Sequence, residues 1–456
     1  MNTKSHTEDL GSLSIGRLLA KIAIPSSVAL FVTSTYNLVD AVFVGRSVGP
    51  AGIGALTLVQ PLQFLVTSFG SLIAVGGASI VSRALGGGDE KRAQRAAGSA
   101  FFVSLVSGLI FTMTGILLLD RLIRVLGAVG ELVPLTHDYL GIILFLEPIL
   151  LFNYVANSMM RAEGQARIAM VIMVAGMLLN IALDPLFIFV FGWGVKGAAI
   201  ATLIGRCGTL GLSILYFVGN HSSLKIGFFD LRPNGKILWE IVTVGTSAFI
   251  RQAGSSFADA LRNNLLITYG GAIFMSAFGA VFRVMIFLGM PGMGIAHAVQ
   301  PIAGYNYGAG NLRRVRQSVW VSIGVCTIFM MVGFTITQLL PGPLLRLFTS
   351  EHSMVRQGIP MMRITSLLFL FFPAYIIAPS FYQALGKPGR ALVLSLARPI
   401  LGAIFMVAGA RLFDVIGVVV ADPVAMALSA LFAIAYLRMS MRRLRMPEQR
   451  PQHQRR

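Results

Sequence analysis

Asp184 and Asp40 are carboxylates in segments whose other residues are almost all apolar. An ionisable group at the centre of a membrane helix costs roughly 2.5–3.5 kcal/mol on insertion scales, so each is a functional candidate by default. Asp184 lies in NIALDPLFIF (Asn180–Phe189), with Asn180 one helical turn before it and Pro185 directly after it. Met173 and Met177 fall on the same helical face. Asp40 shares a face with Thr33, Tyr36 and Asn37 at i+3/i+4 spacing. The apolar segment after Asp184 carries Thr202, and the segment before it carries Asn153 and Asn157 one turn apart. Two carboxylates with an amide and a hydroxyl supply hard oxygen ligands of the kind that hold Na⁺. The same two carboxylates, crowded and taken out of water, suit a proton equally well. The pattern leaves both ions open. A structural reading is open as well: Asp-Pro is a good N-cap with a first-turn proline, and Asp40, six residues before Arg46, could reach a membrane interface. The two readings are compatible, because a broken helix frees backbone carbonyls that bind cations.

The elements that must position these residues are membrane spans. The chain has 456 residues, 55% of them hydrophobic and 12% charged, and its mean hydropathy is +0.77. That is the composition of a polytopic, all-α membrane protein. The net charge of +19 does not point to nucleic acid, because the basic residues lie in short loops between apolar runs and at the C-terminus. The opening residues, MNTKSHTEDLGS, lead us to expect no cleaved leader. Cys207 and Cys326 lie inside apolar segments and suggest neither a disulfide framework nor a metal site.

Twelve spans are expected, near 17–44, 52–82, 96–119, 134–160, 168–191, 195–218, 237–268, 276–304, 317–341, 358–384, 391–411 and 416–438. The loops after even-numbered spans are the basic ones, with Arg83, Lys91, Arg92 and Arg95 in the first of them. This bias places both termini in the cytoplasm.

The chain repeats itself. GSLIAVGGASIVSRALGGGDEKR (Gly70–Arg92) aligns without a gap on GMGIAHAVQPIAGYNYGAGNLRR (Gly292–Arg314), at a constant separation of 222 residues. Gly164 falls on Gly386 at the same separation. Twelve spans thus divide into two six-helix bundles of one orientation, a parallel repeat typical of transporters with a cavity between their halves. We expect a first lobe at 1–220, a cytoplasmic loop at 221–236, a second lobe at 237–438 and a basic, disordered tail at 439–456.

The second lobe carries Gln252, Ser256, Asp259 and Asn263 on one face, with Arg262 close enough to neutralise Asp259. At the repeat separation Asp40 and Asp184 fall on Arg262 and Met406, so any ion coupling belongs mainly to the first bundle. Tyr36, Asn37, Tyr139, Asn153, Asn157, Met173, Met177, Gln252, Asp259, Asn263, Met290 and Gln300 are the side chains expected to line a substrate cavity. Methionine suits that place because its side chain adapts to varied ligands, although it fills cores equally well. No Gly-Lys pair is followed by Ser or Thr, so the chain shows no P-loop, and uphill transport would draw on an ion gradient.

Several stretches resemble the multidrug and toxic compound extrusion (MATE) family of bacterial transporters. They are YNLVDAVFVGRSVG (Tyr36–Gly49), MMRAEGQARIAMVIMVAGMLLNIALDPLFIFVFGWGVKGAAIAT (Met159–Thr202), QPIAGYNYGAGNLRRVRQ (Gln300–Gln317) and YQALGKPGRAL (Tyr382–Leu392). The resemblance covers nearly the whole chain. It implies a monomeric protein of the bacterial inner membrane that exports organic, often cationic, compounds in exchange for H⁺ or Na⁺, with no other cofactor, no nucleic acid and no enzymatic activity. It also implies a cation site at Asp40, Asn180, Asp184 and Thr202, with Tyr36, Tyr139 and Asn157 lining the same lobe. A different class, a lipid-linked precursor flippase, would need cationic residues in its cavity. Arg251, Arg262, Arg283 and Arg398 keep that alternative open.

Overall fold

The computed structural model describes residues 3–219, 221–349 and 351–443, and all regular structure among them is helical. The first half contains α1 (Thr3–Ser12), α2 (Ile15–Val48), α3 (Pro50–Gly86), α4 (Glu90–Leu117), α5 (Leu119–Val125), α6 (Leu132–Ala162), α7 (Ala166–Pro185) and α8 (Gly194–Val218). The second contains α9 (Gly235–Gly308), α10 (Leu312–Leu339), α11 (Pro341–Arg346), α12 (His352–Thr365), α13 (Leu368–Ala384) and α14 (Pro388–Arg443). A straight helix of 74 residues would be about 110 Å long, far more than one bilayer crossing. α9 instead turns back at Gly271, and α14 at Phe413–Asp414. Counting each as two crossings, and the bent pair α12–α13 as one, gives twelve.

That bent pair differs from the continuous span expected at 358–384. Its halves meet at 49°. The chain can break there because Gln338 of α10 donates to Arg363 O at 2.9 Å and to Ser366 Oγ at 2.8 Å, satisfying groups that the helix leaves open. At the other end of the lobe, α14 runs through Arg443, into the stretch expected to be tail. Residues 444–456 lie outside the described residues.

The repeat is written into the turns. Positive-φ residues recur at the same separation: Gly49 with Gly271, Gly88 with Gly310, Gly164 with Gly386, and Gly192 with Asp414. The N-caps follow suit. Asp89 accepts from the Arg92 amide at 2.9 Å, and its mate Asn311 from the Arg314 amide at 3.2 Å. Asp414 (φ 51°) is the one non-glycine among these residues in the left-handed half of φ space.

The two lobes meet at the end of the molecule that carries the basic loops. There Gly76 lies against the Ile241 backbone, Gly245 against Leu72, Gly86 against Tyr305 and Gly308 against Arg83. A side chain at any of these positions would meet a carbonyl of the facing lobe. Gln300 Nε2 donates to Val75 O at 2.8 Å, the Ser79 hydroxyl donates to Gln383 O, and Arg83 and Arg92 both pair with Glu240, at 2.9 and 2.8 Å. Among the described residues, the hydrogen bonds between the lobes all lie at this end. Phe31 on Phe287 and Phe69 on Phe249 add edge-to-face contacts further in. Exposed Leu, Ile, Val and Phe side chains cover the outside, as a lipid-facing surface requires.

Candidate functional site

The first lobe brings together side chains from three helices. Asp40 and Tyr36 come from α2, Asn180 and Asp184 from α7, and Thr202 from α8; Asp184 is fully buried, and Asp40, Tyr36 and Asn180 are nearly so. The Tyr36 hydroxyl and Thr202 Oγ1 are 3.3 Å apart. Asn180 Nδ2 donates to Thr202 Oγ1 at 3.3 Å and reaches Asp184 Oδ1 at 3.5 Å. Asp40 is close enough to act electrostatically on Asp184, on Tyr36 and on Tyr139. Tyr139 is buried in the same lobe.

Three oxygens of this group are buried without any donor: Asp40 Oδ1, Asn180 Oδ1 and Asp184 Oδ2. A buried acceptor with no partner is costly, and a bound cation or proton would supply one. The amide of Asn180 spends its N–H₂ on Thr202 and Asp184, and its oxygen has no partner. Beside it lies a small cavity of about 20 Å³ lined by Tyr36, Met173, Met177, Asn180, Thr202 and Arg206 among others. The set suits a hard monovalent ion or a proton. Among the described residues no three His, Cys, Asp or Glu side chains gather as they would around a transition metal.

Pro185 does not end the helix as a first-turn proline would. α7 passes through it and widens into a π-helical turn, Leu186–Val190, in which Phe191 N donates to Leu186 O at 2.9 Å. Asp184 is therefore an intrahelical residue and not an N-cap. Proline has no N–H to close the preceding turn, and the wide turn absorbs the mismatch beside the site.

The other expected cavity residues are placed variously. Asn153 Nδ2 holds the Arg206 carbonyl at 3.0 Å and Asn157 Nδ2 the Ala169 carbonyl at 3.0 Å, so both amides tie α6 to neighbouring helices. Gln300 is a strut of the lobe seal. Met290 is buried in the second lobe, Asn37 is exposed, and Gln252 and Asn263 are half-buried. Asp259 pairs with Arg262 at 2.7 Å.

Sequence reasoning missed three buried carboxylates. Glu147, in α6, is 2% exposed, with Oε2 unpartnered and Arg206 within electrostatic reach. Pro148 cannot donate to Leu144 O, and Thr112 Oγ1 takes its place at 2.6 Å. Asp422 sits between Arg262 and Arg398. One signal was available: Glu147-Pro148 and Asp422-Pro423 repeat the acid-proline pair of Asp184-Pro185 inside apolar runs.

Glu163, in the turn after α6, is the third. It is fully buried and clamps the chain that connects the lobes. Its Oε1 accepts from Ser222 Oγ (2.8 Å) and Tyr216 OH (3.4 Å), and Oε2 from the amides of Ser223 (2.5 Å) and Leu224 (3.3 Å). Burial pushes its carboxyl up from 4.5 to about 7, against the pull of these four donors. A carboxyl raised in the clamped form takes up a proton on clamping. The clamp is therefore favoured below about 7 and weakens as pH rises through that value. Either hydroxyl can turn to accept from protonated Oε1 while the amides keep Oε2. Hydrogen exchange at Ser223 and Leu224, corrected for intrinsic rate, is expected to be slower at pH 6 than at pH 8. In Glu163→Ala it should be fast at both; equal protection of the wild-type amides at the two pH values would refute the assignment.

A family model described as MatE matches residues 25–186 and again 248–408, once per lobe. The multidrug export protein MepA of Staphylococcus aureus (strain MRSA252) is 27% identical over 426 residues, covering 92% of this chain and 93% of MepA. MepA of Staphylococcus haemolyticus is 26% identical over 385 residues, covering 84% and 85%. A solved structure described as the outward-facing conformation of a multidrug resistance MATE family transporter of the MOP superfamily superposes with a TM-score of 0.91 at 26% identity, covering 96% of this chain and 98% of its own. A Pyrococcus furiosus MOP superfamily transporter, described as having a binding pocket of reverse polarity, matches equally well.

Proposed function

The chain belongs to the MATE family of multidrug efflux transporters, and from that premise we propose that it is a secondary antiporter, expelling organic, often cationic, compounds in exchange for H⁺ or Na⁺ bound in the first lobe. The observation that carries this reading is the trio of buried, donor-less oxygens of Asp40, Asn180 and Asp184, beside Thr202. An ion there gives those oxygens a partner and draws α2, α7 and α8 together. An ion-filled lobe and an ion-free lobe then have different shapes, and exchange follows if substrate binds one shape better than the other. Each elementary charge that enters down the membrane potential supplies about 2.3 kcal/mol per 100 mV.

We read the basic loops as cytoplasmic, which makes the sealed end the inner one. Both termini are then inside, and the protein works as a monomer in the bacterial inner membrane. The flippase alternative loses support, because two of its four arginines, Arg262 and Arg398, are already committed to Asp259 and Asp422.

The test is uptake of a fluorescent organic cation into liposomes holding the purified protein, under imposed H⁺ or Na⁺ gradients applied separately. Uptake driven by one of them identifies the ion. No uptake under either gradient, across several cations, would overturn the antiport reading.

A further inference from the structure

The second lobe contains a pocket that is the repeat mate of the ion site. The two cavities are of similar size, about 20 Å³ each. Their linings correspond at the repeat separation: Tyr36 with Ala258, Gly176 with Arg398, Met177 with Pro399, and Asn180 with Gly402. Asp40 corresponds to Arg262. Where the first lobe has a carboxylate and a glycine, the second has two guanidinium groups.

Carboxylates hold both groups through their terminal nitrogens, while the Nε of each has no partner. Arg262, with its side chain 2% exposed, donates to Asp259 Oδ1 at 2.7 Å and to Asp422 Oδ2 at 3.0 Å. Arg398 donates to both oxygens of Asp422, at 3.0 and 3.1 Å. The ring of Phe278 lies 5.2 Å from the Arg262 guanidinium, and that of Tyr375 lies 5.3 Å from Arg398. The charges balance: Asp259 and Asp422 against Arg262 and Arg398. Beside the first pocket, Asp40 and Asp184 have no arginine paired with them; Arg206, in the pocket lining, acts on Tyr36 and Glu147 instead. That lobe lacks at least one positive charge, and the other lacks none. Removing one member of a buried ion pair leaves an uncompensated charge at high cost, so the second-lobe network has no low-energy way to empty itself.

We propose that the second-lobe pocket is a cation site whose cation is built into the chain, with Arg262 and Arg398 standing where the first lobe leaves room for an exchangeable ion. The second lobe then keeps its ion-filled shape through the cycle, and only the first responds to the gradient. The inference rests on reading the first-lobe site as the ion-coupling site. It makes a counter-intuitive demand: deleting a positive charge by Arg398→Met should create a binding site for a positive ion at Asp422.

The experiment counts cation equivalents bound by the purified full-length protein, as ²²Na⁺ at pH 8 and as protons taken up on a shift from pH 8 to pH 5. Arg398→Met is expected to bind one equivalent more than wild type, and Asp184→Asn/Arg398→Met one more than Asp184→Asn. Arg398→Met/Asp422→Asn should return to the wild-type count. Arg262→Met is the independent second variant, with the same gain expected. Unchanged counts in folded Arg398→Met and Arg262→Met overturn the proposal. So does protein that folds once Asp422 is neutralised but not in Na⁺ or at low pH, because no exchangeable cation then replaces the guanidinium. The coupling reading is scored separately: it fails if Asp184→Asn binds as many equivalents as wild type, whereas the present inference is read from each arginine variant against its own parent.

Discussion

Asp184→Asn is expected to reduce gradient-driven transport by at least roughly tenfold while leaving insertion and folding intact, a factor that about 1.4 kcal/mol of lost differential affinity would produce. The substitution keeps the shape of the side chain and an oxygen within reach of Asn180 Nδ2, 3.5 Å away in the wild type. What it removes is the charge. Asp184 is fully buried and its Oδ2 has no donor, so little else in the lobe depends on its being ionised. Thr202→Val should cost less, because it deletes one neutral ligand and a bond from Asn180 without changing the charge of the site. The measurement is cation uptake under the gradient that drives the wild type, in matched liposomes. Full uptake by Asp184→Asn would remove that carboxylate from the mechanism and leave Asp40 and Glu147 as the groups to test.

The second large effect is expected at the lobe seal. A Cβ added to Gly245 would lie 1.9 Å from Leu72 O, and one added to Gly308 would lie 2.0 Å from Arg83 O. Both obstacles are backbone of the facing lobe, so no side chain can swing aside. Overpacking of this kind costs typically about 1–3 kcal/mol even where a core can adjust. Here the adjustment available is separation of the lobes. Gly245→Val should therefore depopulate the form sealed at the basic-loop end and cut transport to background, while each lobe stays folded. Reactivity of a cysteine placed at the seal, toward a water-soluble maleimide, reads the population directly. A protected cysteine and normal transport in Gly245→Val would show that the close approach is dispensable. Gly235, with nothing near its Cβ position, is the control position for the same substitution.

Much of this was legible in the residues. Hydropathy located the spans, and Gly49, Gly88, Gly164 and Gly192 mark turns that recur at the repeat separation because each needs a positive φ that only the loop geometry imposes. Asp40 and Asp184 could be picked out because a carboxylate in an apolar run has few innocent explanations. Glu147 and Asp422 met the same criterion and were passed over. Nothing beside them in sequence resembles a ligand set, since their partners Arg206, Arg262 and Arg398 lie on other helices. The roles of Asn153 and Gln300 were likewise hidden. A polar side chain on a helix face reads the same whether it meets a ligand or a neighbour's carbonyl.

The sequence by itself determined the membrane class, the twelve crossings, the duplication and the face of each helix that carries polar groups. These follow from burial against lipid and from the 3.6-residue period, which act locally along the chain. Only the tertiary structure decided which faces meet. Tyr36 finds Thr202 across 166 residues and Arg262 finds Asp422 across 160. It also decided that one lobe holds an open trio of oxygens while its repeat mate is filled by arginine, and that the lobes close on glycines at one end. Helix packing sets such meetings through crossing angles and close approaches, and a one-dimensional pattern of polar and apolar residues carries neither.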